Sequence, residues 1–175
     1  RFINPAFNLD ENQLIITDPE ILNQWVNVLR FKVGEQVMLC DGSGCEAFAT
    51  IEKISDDEVI VNVSETQQKQ MQRKVNLYCS ILKKENFELV VQKAVEVGVN
   101  KIIPITTERT IKQSLKFDRL EKIIKEAAEQ CGRATVPVVS EIQSFDDALY
   151  AVSGKENYIF DLSAAEQFSK NNKGT

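Results

Sequence analysis

The 175-residue sequence predicts an α+β protein of two units in series: a small β unit, barrel or curled sheet, then an α/β unit with a mostly parallel sheet. Three observations predict this. Short alternating runs such as "VIVNV" crowd residues 1–65 around one helical segment. From Val75 onward, apolar runs of strand length alternate with helical patterns, the rhythm of βαβ units. Between them "TQQKQMQRK" (66–74) holds no strong strand former and reads as a linker. The boundary is set near residue 72, giving units 1–72 and 73–175.

In order, "QLIIT" is a short strand. "DPEILNQWVNVL" opens a helix with Asp18 as N-cap and Pro19 at N1, then sets Ile21, Leu22, Trp25, Val26 and Leu29 at helical spacing. "EQVMLCDGSGCEAFATIEKI" is two strands joined at the Gly42–Gly44 turn, and Val59, Val61 and Val63 alternate along another strand. In the second unit, 75–82 and 101–105 are strands. Residues 85–97 form a helix stopped by Gly98, with Phe87, Val90, Val91, Ala94 and Val95 inward. Residues 117–131 form a helix stopped by Gly132; 136–139 and 158–162 are further strands around a helix at "SFDDALYAV".

Composition narrows the chemistry. The sequence has no histidine, which removes Ser-His-Asp and Cys-His catalysis and histidine-based zinc sites from this chain. Its four cysteines form no CxxC pair and read as small buried hydrophobes; no metal site is expected. No apolar run reaches 18 residues, so no membrane span is expected, and with no cleavable signal in view the expected location is the cytoplasm. The chain starts at Arg1 rather than Met, which suggests a trimmed N-terminus. Residues 1–73 hold 6 basic and 12 acidic side chains, and residues 74–134 hold 12 basic and 8 acidic. A basic middle between acidic flanks suits a phosphate-facing surface, and equally suits an ordinary solvated one.

Two places carry candidate chemistry. Arg109 in "TTERT" follows the strand 101–105, and loops after parallel strands are where open α/β folds bind ligands. An arginine there, with Thr106, Thr107 and Thr110, has the donors to hold a phosphate. On the helix 117–131, Lys122, Glu126 and Gln130 share one face and Arg133 follows the glycine stop. Spacing alone also fits a solvated face with one Lys–Glu pair. "GSG" at 42–44 lacks a following helix and reads as a hairpin turn, not a phosphate loop.

Taken together, "VLRFKVGEQVMLCDGSG" (28–44), "FELVVQKAVEVGVNKIIPITTERT" (87–110) and "EAAEQCGRATVP" (126–137) resemble the RsmE-type 16S ribosomal RNA uridine-N3 methyltransferases of the SPOUT superfamily. The resemblance runs over residues 1–165 and implies a PUA-like RNA-gripping barrel followed by a SPOUT α/β domain with a trefoil knot. It implies S-adenosylmethionine as cofactor, 16S RNA or the small ribosomal subunit as partner, and a homodimer. Arg30, Lys83, Lys93, Arg109 and Gln130 become RNA contacts. Glu126 becomes the acceptor of the uracil N3 proton, and Arg133 a cation favouring the deprotonated base. Glu96 is matched too, with a structural role equally open.

The sequence departs from the family pattern at "QWVN" before "VLR" and at Asn86, where basic residues are usual, so a smaller basic footprint is expected. The "IGPEGG" and "LGxRILRxETA" stretches that build the family's cofactor knot are not in it. The cofactor contacts are therefore expected beyond residue 175, and this chain alone is expected to be inactive. The competing expectation is a non-catalytic module that docks on structured RNA.

Overall fold

The computed structural model describes residues 1–69, 74–111, 114–154 and 156–160. The N-terminal half is one curled sheet. Its strands are β1 (Phe2–Ile3), β2 (Gln13–Ile16), β3 (Gln36–Cys40), β4 (Cys45–Ile54) and β5 (Val59–Gln68), in the spatial order β1-β3-β4-β5-β2. All pairs are antiparallel except β1 with β3, which run parallel. Alternation places Leu14, Ile16, Val37, Leu39, Ala47, Ala49, Ile51, Val59 and Val61 on the concave face, in one core with Trp25.

A short helix closes this core. α1 (Pro19–Leu22) starts as the sequence predicts: the Asp18 carboxylate accepts from the N–H groups of Glu20 and Ile21 at 2.9 and 3.1 Å. It then widens into a π-helical turn over Asn23–Val28, in which Leu29 N–H donates to the Gln24 carbonyl five residues back. Within the turn Trp25 meets both Phe2 (4.9 Å between ring centroids) and Phe31 (5.8 Å), so the wider turn accompanies an aromatic cluster. The chain leaves through Arg30, at φ 55 the one non-glycine residue with positive φ among those described.

The second half is α/β. Strands β6 (Asn76–Ser80), β7 (Lys101–Thr106), β8 (Val138–Val139) and β9 (Gln143–Ser144) are all parallel, with β7 between β6 on one side and β8 and β9 on the other. Helices α2 (Lys84–Glu96) and α3 (Phe117–Cys131) pack on one face, burying Phe87, Val91, Ala94, Val95, Leu120, Ile124, Ala127 and Ala128 against Ile102. α4 (Phe145–Val152), capped by Ser144, covers Ile103 and Ile105 on the other face through Ala148.

Three expectations need correction. Residues 66–68 are strand, not linker, paired with Ala47, Glu46 and Cys45. The long β4 acts as a template and holds a polar segment whose own propensity is low. The expected boundary near 72 falls at 70–73, outside the described residues. Tyr158–Phe160 form no strand, and the rest of that expected strand is also outside the described residues. Cys131 is exposed rather than buried as expected of the cysteines, because it sits in the last turn of α3, past the packed surface.

Candidate nucleic-acid interface

The parallel sheet sorts the candidate residues between its two edges. Ser80 pairs with Ile105 and Thr106 with Ser144, so the segments after β6, β7 and β9 emerge at one carboxyl edge. After β6 come Lys83 and Lys84, exposed at the start of α2, with no side chain capping the helix. After β7 the threonines fold the loop into a tight turn. Thr110 N–H donates to the Thr107 carbonyl at 2.9 Å, Thr107 N–H donates to the Thr110 hydroxyl at 2.9 Å, and the two hydroxyls meet at 3.0 Å. This turn holds Arg109 exposed, with no hydrogen bond or ion pair to any described residue. Lys83 and Arg109 are therefore brought to the same edge by neighbouring strands.

The remaining residues lie elsewhere. α3 has 15 residues, which at about 1.5 Å per residue places its far end roughly 20 Å away. There Gln130 and Glu126 are exposed on the helix. Arg133 is half-buried and faces protein: its Nη1 donates to the carbonyls of Val95 and Val99, both at 2.9 Å. Those carbonyls close the end of α2, so the guanidinium satisfies acceptors that a helix C-terminus leaves open. Burial lowers its pKa from the ordinary arginine value. Lys93 is exposed and tied to Glu96, with Nζ at 3.0 and 2.8 Å from the two carboxylate oxygens. Arg30 projects from the N-terminal half.

Sequence reasoning missed Glu129. Of the polar side chains in "EAAEQCGR", its carboxylate turns inward and accepts from the Ile3 N–H at 2.8 Å. Burial raises its pKa, against the lowering effects of that N–H and of Lys125. The only hint in the sequence is its position directly after the buried Ala127–Ala128 pair.

The basic middle is also less continuous than its composition suggests. Arg119 is fork-bonded to Glu88 at 2.7 and 2.8 Å, and Lys122 reaches Glu20 at 3.1 Å. Lys83 and Arg109 are in no described ion pair, as is also true of Lys74, Lys84, Lys101, Lys116 and Lys125.

Residues 68–175 match the model of the RNA methyltransferase domain, and residues 26–64 match that of the RNA methyltransferase PUA domain. The chain belongs to the RNA methyltransferase domain family. Its similarity to the ribosomal RNA small subunit methyltransferase E of Bacillus subtilis is 33% identity over 142 residues, 77% of this chain and 55% of that protein. With the enzyme of the same name from Rickettsia conorii it is 31% over 123 residues, 70% and 50%. The crystal structure of ribosomal RNA small subunit methyltransferase E from Neisseria gonorrhoeae bound to S-adenosylmethionine superposes with a TM-score of 0.76 at 29% identity. That match covers 85% of this chain and 63% of the other. The chain thus spans about half the length of these curated relatives. The family assignment agrees with the curled PUA-like sheet and the parallel α/β unit, and no described helix is long and apolar enough to cross a membrane.

The segments at the carboxyl edge carry the cations Lys83, Lys84 and Arg109, the hydroxyls of Thr107 and Thr110, and the exposed acids Glu85 and Glu108. The cations suit an anion, such as a phosphate or the carboxylate of S-adenosylmethionine, and the acids suit a cation such as its sulfonium.

Proposed function

We propose that this chain forms the RNA-gripping part of an S-adenosylmethionine-dependent methyltransferase acting on small-subunit ribosomal RNA, at N3 of a uridine in the 16S molecule. The observation that carries the reading is the pairing, in one chain, of an RNA methyltransferase PUA match with an RNA methyltransferase domain match. Lys83 and Arg109 neutralise RNA phosphates at the carboxyl edge, and Arg30 does so from the curled sheet. Arg30 supports this on energetic grounds: a bulky residue in the left-handed region is strained, and such strain concentrates where function requires the side chain. Gln130 and Lys93 extend the contact surface toward the far end of α3.

Glu126, exposed on α3, is the group proposed to accept the N3 proton. Arg133 acts on that end of the molecule through its hold on the α2 carbonyls. The working unit is proposed to be a homodimer in the cytoplasm, where small subunits are assembled. The exposed Phe145, Leu149 and Tyr150 of α4 are available for burial in it.

The test uses the full natural reading frame. It is incubated with methyl-labelled S-adenosylmethionine and small ribosomal subunits, and the RNA is digested to nucleosides. Label in N3-methyluridine is expected. Label in another nucleoside sinks the uridine assignment, and RNA binding without label turns the reading to a docking module. Glu126→Gln is expected to slow the single-turnover rate with RNA affinity kept; an unchanged rate removes Glu126 as proton acceptor.

A further inference from the structure

We propose that Glu129 is a positioning residue: it docks the first strand of the curled sheet onto α3 and so fixes the RNA-gripping sheet relative to the carboxyl edge. The proposal rests on the RNA reading above, because what is positioned is an RNA-binding surface.

The geometry is specific. β1 pairs with β3 in the register Phe2↔Leu39 and Ile3↔Cys40, and Asn4 N–H donates to the Cys40 carbonyl at 3.0 Å. Backbone donors alternate along a strand, so the Ile3 N–H points away from β3. Ile3 is 1% exposed, and a donor left unpaired there is costly. Glu129 Oε1 supplies the acceptor at 2.8 Å.

The strand it holds is shared. Phe2 belongs to the core of the curled sheet, whereas Ile3 and Cys40 belong to the core of the α/β unit. A hydrogen bond at Ile3 therefore acts at the junction of the two cores. A second described link from α3, Lys122 to Glu20 at 3.1 Å, joins two exposed side chains and is weak by comparison. A third link lies at the hairpin tip, where Val136 N–H donates to the Gly42 carbonyl at 2.9 Å.

The experiment compares full-length wild-type protein with Glu129→Gln and Glu129→Ala. It reads amide exchange at Ile3 and affinity for protein-free small-subunit ribosomal RNA. The amide of Gln keeps an acceptor oxygen, so E129Q is expected to stay within about twofold of wild type in both readouts. E129A is expected to exchange Ile3 about tenfold faster and to bind RNA several-fold more weakly, the scale of one lost hydrogen bond. Unchanged exchange in E129A overturns the docking contact. Faster exchange with unchanged RNA affinity overturns the positioning role and leaves the RNA reading intact, whereas wild-type protein that binds no RNA overturns both.

Should E129A fail to fold, the wild-type protein still decides. The Ile3 amide resonance is expected to titrate together with the Glu129 carboxyl, whose charged neighbours are Lys125 and Glu126. An Ile3 resonance that ignores that titration overturns the contact.

Discussion

Arg30 and Arg133 both stand where a helix stops, and the fold treats them in opposite ways. After α3 the left-handed turn is taken by Gly132 (φ 77), which leaves Arg133 free to turn back and bind two carbonyls of the α2 end. After the π-helical turn the left-handed position is taken by the arginine itself, at φ 55, with its side chain in solvent. One arginine repairs an exposed helix end with its side chain; the other makes the turn with its backbone, which lets Phe31 N–H donate to the Trp25 carbonyl at 2.9 Å. The fold explains Arg133. The exposed side chain of Arg30 is left for the RNA contact proposed above.

The largest expected effect comes from Arg133→Ala. It strips two carbonyls of a charged donor and is expected to lower stability by about 2–3 kcal/mol in urea unfolding. A loss under ~0.5 kcal/mol would show that solvent replaces the guanidinium without cost.

The Glu46 carboxylate offers a second buried ionic group to set beside Arg133. It is 4% exposed and paired with Arg1 and Lys69. Burial pushes its pKa up, but the hydrogen bonds and charges of Lys69 and Arg1 outweigh that and hold it below the ordinary 4.5. A lowered folded-state value means that its stabilisation is complete above the ordinary carboxylate range. It is lost as pH falls through the folded value. Glu46→Gln is therefore expected to flatten the acid limb of a stability–pH curve, and an identical limb would contradict the ion-pair assignment.

Arg30→Gly should separate strain from use. It is expected to raise stability by up to about 1 kcal/mol, since glycine takes φ > 0 freely, while weakening RNA binding. Stabilisation with unaltered RNA affinity would leave the strain without a purpose. The smallest stability effect belongs to Arg109→Ala, expected within ~0.5 kcal/mol of wild type because nothing described pairs with it. Its signature is instead a salt dependence of RNA binding whose slope falls by about one unit. A slope that stays put would exclude a phosphate contact.

The contrast also marks what the sequence discloses. α3 was legible to the residue, because its apolar stripe and glycine stop are local signals. The parallel sheet was legible in the alternation of strand and helix. β1 was not: two residues carry no period, and their partners Leu39 and Cys40 are distant in sequence. The π-helical turn was also hidden, since the same spacing of Leu22, Trp25, Val26 and Leu29 serves an α-helix, and what distinguishes the two is tertiary contact with Phe2 and Phe31.

For the site, Lys83 and Arg109 could be placed on strand-following loops from sequence. That they share an edge follows from the register of β6 with β7. Arg133 and Glu129 were not separable from their solvent-facing neighbours. Helical position says which way a residue points, but not which carbonyl or N–H waits there.

The Ile3–Glu129 contact closes over 126 residues of sequence, which orders events during synthesis. At roughly 5–20 residues per second, Ile3 is made between about 6 and 25 s before Glu129. Through that interval β1 can find β3, but its second face has neither acceptor nor core to enter. The nascent curled sheet therefore carries an unfinished edge until α3 emerges, an interval in which a chaperone or a neighbouring nascent chain has something to bind.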